Sequence, residues 1–201
     1  MNKPVSRREL NKERRRNAIL DAARAGFARD GVQGTTMDDI AREAQVSRTT
    51  LFNYFTGKGE ILDHLVMEMH EHFFARIEEC RNATTDVGER VMLAFVKTGQ
   101  VMDAGAEKLR PLVGYSELGW NEAGVLERME RLTTGFESLL EGGDTQFAPD
   151  APDPRAIAEI MTGVFIGMVH NWRLTPGYPL EERLTEAAKW ICVMLRRSPQ
   201  G

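Results

Sequence analysis

An all-α fold in two parts follows from three features of the sequence. Apolar residues recur at helical spacing along almost the whole chain, no alternating strand pattern or internal repeat occurs, and three short helical segments precede one much longer one. The expected architecture is a small three-helix N-terminal domain, a long joining helix and a larger helical C-terminal domain.

The first helix is expected from about Arg14 to Arg29, with Ile19, Ala22, Ala23, Gly26 and Phe27 as its apolar stripe and Asp30-Gly31 as its end. Thr36 caps a second helix. Asp39 is its capping-box partner, Met37, Ile40, Ala41 and Ala44 form the inner face, and the helix ends near Gln45. Ser47 caps a third helix through Phe55, and Thr56-Gly57-Lys58-Gly59 breaks the chain. From Glu60 to about Asn82, residues Leu62, Leu65, Val66, Met69, Phe73 and Ile77 hold one stripe on a long helix. Further helices are expected at 86–103, 106–117, 121–141, 154–174 and 181–197, separated by Gly-, Pro- or Asp-rich breaks. Residues 1–59 and 60–201 are the two expected domains.

With 201 residues, 42% apolar and 28% charged, the chain can bury a core and lacks the composition of a disordered one. No apolar run follows the charged start and none is long enough to cross a bilayer, so a cytoplasmic protein without membrane contact is expected. Cys80 and Cys192 stand apart with no CxxC pair, which argues against a disulfide framework or a structural zinc. The net charge of −4 is unevenly spread. Residues 1–60 carry 12 Lys/Arg against 8 Asp/Glu, a net +4, whereas the rest carries 14 against 22, a net −8. Lys3, Arg7, Arg8, Lys12, Arg14, Arg15 and Arg16 crowd the start, a run that suits a solvated terminus as well as phosphate contact.

Residues Met37 to Phe55 have the residue types of a helix-turn-helix. Ala41 is small where two helices cross, Ile40, Val46 and Leu51 plug the space between them, and Ser47 starts the second helix with its positive dipole end outward. Arg48, Thr49 and Thr50 fill that exposed first turn. Arginine grips guanine O6 and N7 or a phosphate, and threonine meets a thymine methyl or a phosphate oxygen, so double-stranded DNA is the expected partner.

From about Arg14 to Leu65 the register resembles the DNA-binding domain of the TetR family of bacterial regulators. The match consists of Thr35-Thr36, Ile40-Ala41, Val46-Ser47, Leu51-Phe52-Asn53-Tyr54-Phe55 and Lys58 followed by Glu60-Ile61-Leu62. The resemblance implies a helix-turn-helix at about 37–56, with phosphates held by Thr36 and Lys58 and base edges faced by Arg48 and Thr49. Phe52, Asn53 and Tyr54 would approach the backbone and thymine methyls. Two positions depart from the family pattern. Gln45 stands where Gly is usual, and because a left-handed turn costs Gln roughly 1 kcal/mol, a different turn is expected there. Phe52 replaces a usual Tyr and has no hydroxyl for a phosphate.

The resemblance further implies a repressor that binds a palindromic operator as a dimer and is released by a small hydrophobic or amphipathic effector held in residues 60–201. Aromatic and Met residues at helical spacing suit either a core or such a pocket: Met69, Phe95, Met102, Tyr115, Trp120, Phe136, Phe165, Met168 and Trp172. His170 beside Asn171 suits a ligand's polar group or a satisfied core position. The last two helices are strongly apolar. Ile160, Val164, Leu184, Ala188, Ile191 and Leu195, with Gly163 and Gly167 for close approach, are expected to pair two copies in a four-helix bundle, the alternative being that these helices only close a monomeric core. The alternative is a ligand-independent dimer whose C-terminal domain only sets half-site spacing. His64, Glu68 and His72 share a helix face but read as a solvated surface, so neither a metal nor another cofactor is expected. No nucleotide-binding glycine loop, nucleophile elbow or zinc-protease motif appears, so an enzyme is not expected.

Overall fold

Most helix starts in this chain are set by a short polar side chain that accepts from a backbone N–H left without an intrahelical partner. Ser6, Thr36, Ser47, Asp86 and Asp153 do this for helices α1 (Arg7–Gly34), α2 (Met37–Glu43), α3 (Arg48–Phe52), α5 (Val87–Ala104) and α8 (Pro154–Leu174). The other helices are α4 (Lys58–Ala83), α6 (Ala106–Leu118), α7 (Glu122–Leu140) and α9 (Leu180–Arg196). This computed structural model describes residues 6–118, 122–143 and 153–196, and no strand occurs among them. Helix α1 starts earlier than expected because Ser6 and Glu9 form a reciprocal capping box. Arg7 to Arg16 are therefore helical.

The chain divides into two compact units. One runs to Met69 and takes in Glu107–Ser116, and the other comprises His70–Ala106 and the chain from Glu117 onward. In the first, Ile19, Ala23, Phe27, Ile40, Leu51, Phe55, Ile61 and Leu65 are essentially inaccessible. Fully burying one such aliphatic or aromatic side chain contributes roughly 2 kcal/mol. Gly26 is required where α1 meets the start of α2, because a Cβ there would stand 2.7 Å from Thr35 Cγ2. Gly31 adopts φ 73° and breaks the helical path of α1, as Asp30-Gly31 leads one to expect.

The second unit is built on α5 against α9 and α7 against α8. Gly99 lets α5 touch the start of α9, where a Cβ would stand 2.5 Å from Glu181 Cα. Asp103 joins three elements: it accepts from the Trp172 indole at 2.9 Å and from the Glu181 backbone N–H at 2.9 Å. Arg90 is buried, and its guanidinium donates to the carbonyls of Thr84 and Glu141 at 2.7 Å each, so buried charge and loop carbonyls satisfy one another. Leu184, Ala188, Ile191 and Leu195, expected at an interface between copies, are already covered in the single chain. They are buried within the protomer, because α9 turns that stripe onto its own unit. Ile160 is exposed and Val164 half-buried, and Gly163 and Gly167 meet nothing within 4 Å of a built Cβ.

The turn between α2 and α3 keeps the left-handed geometry that Gly would normally supply. Gln45 has φ 55°, while its N–H donates to Arg42 O at 3.2 Å and Val46 N–H to Ala41 O at 3.0 Å, a Schellman closure. The expected departure in geometry is absent; the departure is strain. Gln45→Gly should raise stability by about 0.5–1 kcal/mol, less than the full strain because Gly also loosens the unfolded chain. Denaturant unfolding of the two proteins measures it.

Candidate nucleic-acid interface

The helix-turn-helix presents α3, only five residues long, on a base made by α1, α2 and the start of α4. A helix this short has no stability of its own, so its direction is set by Leu51, buried beneath it, and by Phe55, buried just beyond its end. The Ser47 hydroxyl accepts from Thr50 N–H at 3.0 Å and pairs with the Thr50 hydroxyl at 2.8 Å. Thr50 is thus committed to the cap, whereas Thr49 is exposed and unencumbered by it.

Arg48 is 67% exposed, and its Nη1 donates to Asp38 Oδ2 at 2.8 Å. Its guanidinium carbon also lies 5.5 Å from the centre of the Phe52 ring. Asn53 ends α3 and is exposed, Phe52 is 39% exposed, and Tyr54 is half-buried. Thr36 is exposed and forms a capping box with Asp39, whose carboxyl is held below its ordinary range chiefly by the Thr36 hydroxyl. Arg42 also pairs with Asp39. Lys58 does more than stand at the surface. Its ammonium donates to Val32 O at 2.6 Å and Thr35 O at 3.0 Å, binding the start of α4 to the end of α1 and the lead into α2.

Sequence reasoning missed several groups around this surface. Glu60 accepts from the Thr56 backbone N–H at 2.6 Å, which lowers its carboxyl pKa, and so it fixes the lead into α4. Arg16 reaches the His64 ring at 2.9 Å and lies over Phe55, while Arg24 pairs with Glu68 at 2.7 Å. His64 and Glu68 are therefore tied to α1, and only His72 is exposed as the solvated-face reading required. Among the described residues no cluster of metal-ligating side chains occurs, and no helix is long and apolar enough to cross a membrane.

The candidate pocket residues fall in both units. Phe95, Phe136 and Phe165 interlock with Phe73 at centroid distances of 5.4 to 6.4 Å in the second unit. Met102 is buried and Met168 half-buried there, and Trp172 is buried with its indole on Asp103. Met69 and Tyr115 belong to the first unit, where the Tyr115 hydroxyl donates to Asp63 at 3.0 Å. His170 and Asn171 are exposed, because α8 turns them away from its core stripe, so they line no interior site. Trp120 lies outside the described residues. One small cavity in the second unit is lined by His70, Phe74, Glu127, Arg128, Arg131 and Leu132. Burial, helped by Arg131 and Arg128, pushes the His70 pKa down to about 4, so the ring is neutral at physiological pH.

Residues 19–65 match the family of bacterial regulatory proteins designated tetR, over the segment that carries the helix-turn-helix. Residues 19–65 are thus similar to the DNA-binding segment of the tetR family. The chain is 26% identical to the HTH-type transcriptional regulator TtgR of Pseudomonas putida, over 97% of this chain and 98% of that protein. The fold is shared with the fatty acid degradation regulator FadR from Bacillus halodurans, with a TM-score of 0.73 and 23% identity over 91% of this chain and 97% of that one. It is also shared with the Thermus thermophilus FadR repressor solved with lauroyl-CoA, with a TM-score of 0.64 and 21% identity over 92% and 97%. The curated relatives that match most of this chain's length are HTH-type transcriptional regulators.

Proposed function

We propose that the protein is a dimeric repressor acting in the cytoplasm on a palindromic operator, and that a small hydrophobic or amphipathic effector releases it. The observation that carries the DNA-reading part is Arg48, exposed at the first turn of a rigidly seated recognition helix. Arg48 and Thr49 read base edges, with Thr50 beside them. Thr36, Asn53, Tyr54 and the remaining N–H of Lys58 position the backbone, and Phe52 supplies apolar contact. Residues 1–59 make up the DNA-binding domain and residues 60–201 the effector-binding and dimerisation domain.

A dimer is supported by apolar side chains that the protomer leaves uncovered. Ile160 and Leu174 on α8 are 47% and 56% exposed, and Trp190, Val193 and Met194 on α9 are 69%, 44% and 52% exposed. Ile160, Gly163, Val164, Gly167 and Leu174 lie along one open side of α8, where the two glycines allow another helix to come close. The effector reading draws support from the aromatic second unit and from the lauroyl-CoA complex of a protein sharing the fold. Release requires the effector to bind the DNA-incompetent arrangement more tightly, and α4 and α6, which contribute residues to both units, are the elements through which that bias acts.

Selection from a random duplex pool should recover a two-fold symmetric site. Arg48→Ala should cost roughly 10- to 100-fold in affinity for that site and relax the preference at one base pair per half-site. Equal loss on every duplex would remove Arg48 from base reading. Trp190→Glu should give a folded monomer by sedimentation and circular dichroism, because the side chain has little to support within its own protomer. A Trp190→Glu dimer would exclude this face of α9 from the interface.

A further inference from the structure

We infer that Asp38 is a positioning residue for Arg48, and that through it the first turn of α2 sets the base preference of α3; this rests on the reading of Arg48 as a base-edge contact. A flexible, exposed arginine carries much rotamer freedom and grips phosphates as readily as bases. Arg48 is restrained at two points. Asp38 holds Nη1 at 2.8 Å, and the Phe52 ring lies 5.5 Å from the guanidinium carbon. With Nη1 engaged, Nε and Nη2 form the fork that remains, and that edge matches the paired acceptors O6 and N7 of guanine.

The neighbouring carboxylate does different work. Asp39 is taken up by the Thr36 cap and Arg42, while Asp38 reaches across the turn to the recognition helix. Both members of the Asp38–Arg48 pair are more than half exposed, so the pair does little for folding. A carboxylate on the face offered to DNA also repels phosphate, weakening contacts that ignore sequence. Asp38 thus favours the correct base edge and disfavours bare backbone, the two halves of specificity.

The test uses the full-length protein and selection from a random-sequence duplex pool, with base preference read at the position that Arg48→Ala relaxes. Asp38→Asn should lower the preference there by about fivefold or more, while binding to the unselected pool tightens by about threefold as one repelling charge goes. Asp38→Glu should restore part of the preference. In an Arg48→Ala background, Asp38→Asn should leave the preference within about twofold. A purely structural role as a helix-dipole partner would instead shift thermal unfolding and leave base preference intact, and that result overturns the inference. So does an Asp38→Asn protein that keeps the wild-type preference while Arg48→Ala loses it, which leaves the reading of Arg48 standing. If Arg48→Ala relaxes no position, that reading fails and takes the inference with it.

Discussion

The N-terminal head depends on one half-buried charge. The Lys58 ammonium sits between the carbonyls of Val32 and Thr35, at a place where α1 has kinked at Gly31 and α2 has not yet begun at its Thr36 cap. Carbonyls at such a break have no helical partner, and leaving them unmet away from water would cost about 1–3 kcal/mol each. Supplying the donor from the first residue of α4 ties three helices at one point. Gly26 makes the same junction possible sterically, since any side chain there would displace Thr35.

That junction explains how a helix of five residues can hold a fixed direction. α3 contributes one fully buried side chain, Leu51, and Phe55 follows it into the same core beside Ile19, Ile40 and Ile61. The polar groups of its first turn are then divided: Ser47 and Thr50 close the cap, while Arg48 and Thr49 stay outward. The strained left-handed Gln45 belongs to the same arrangement, because the Schellman closure around it sets the angle between α2 and α3. Charge follows the same division, with the basic first turns of α1 fixed as helix by the Ser6–Glu9 box rather than left as a loose run.

The helices were legible in the sequence because each is marked twice, by an apolar period and by a cap or breaker. Thr36 with Asp39 and Ser47 mark starts that the structure keeps, and Asp30-Gly31 marks the kink in α1. The early start of α1 was not legible, because Arg7 to Arg16 bury little and only the Ser6–Glu9 pairing reveals them as helix. In the C-terminal unit, spacing identified the stripe Leu184, Ala188, Ile191 and Leu195 but not what covers it. A stripe packed on α5 and a stripe packed on a second copy read the same from one sequence, and Trp190 on the outward side carried no signal of its own. The long-range partners were equally hidden: Asp38 lies ten residues from Arg48 and Val32 lies 26 from Lys58, distances at which sequence periodicity says nothing.

The most direct test is backbone hydrogen exchange of the free protein, comparing wild type with Lys58→Met and Lys58→Arg. If Lys58 holds the head together without DNA, Lys58→Met loses protection across the end of α1 and through α2 by about 2 kcal/mol. The C-terminal unit keeps its own protection, and Lys58→Arg falls between the two. Unchanged protection in Lys58→Met, together with weakened DNA binding, would contradict this account and leave Lys58 as a phosphate contact alone.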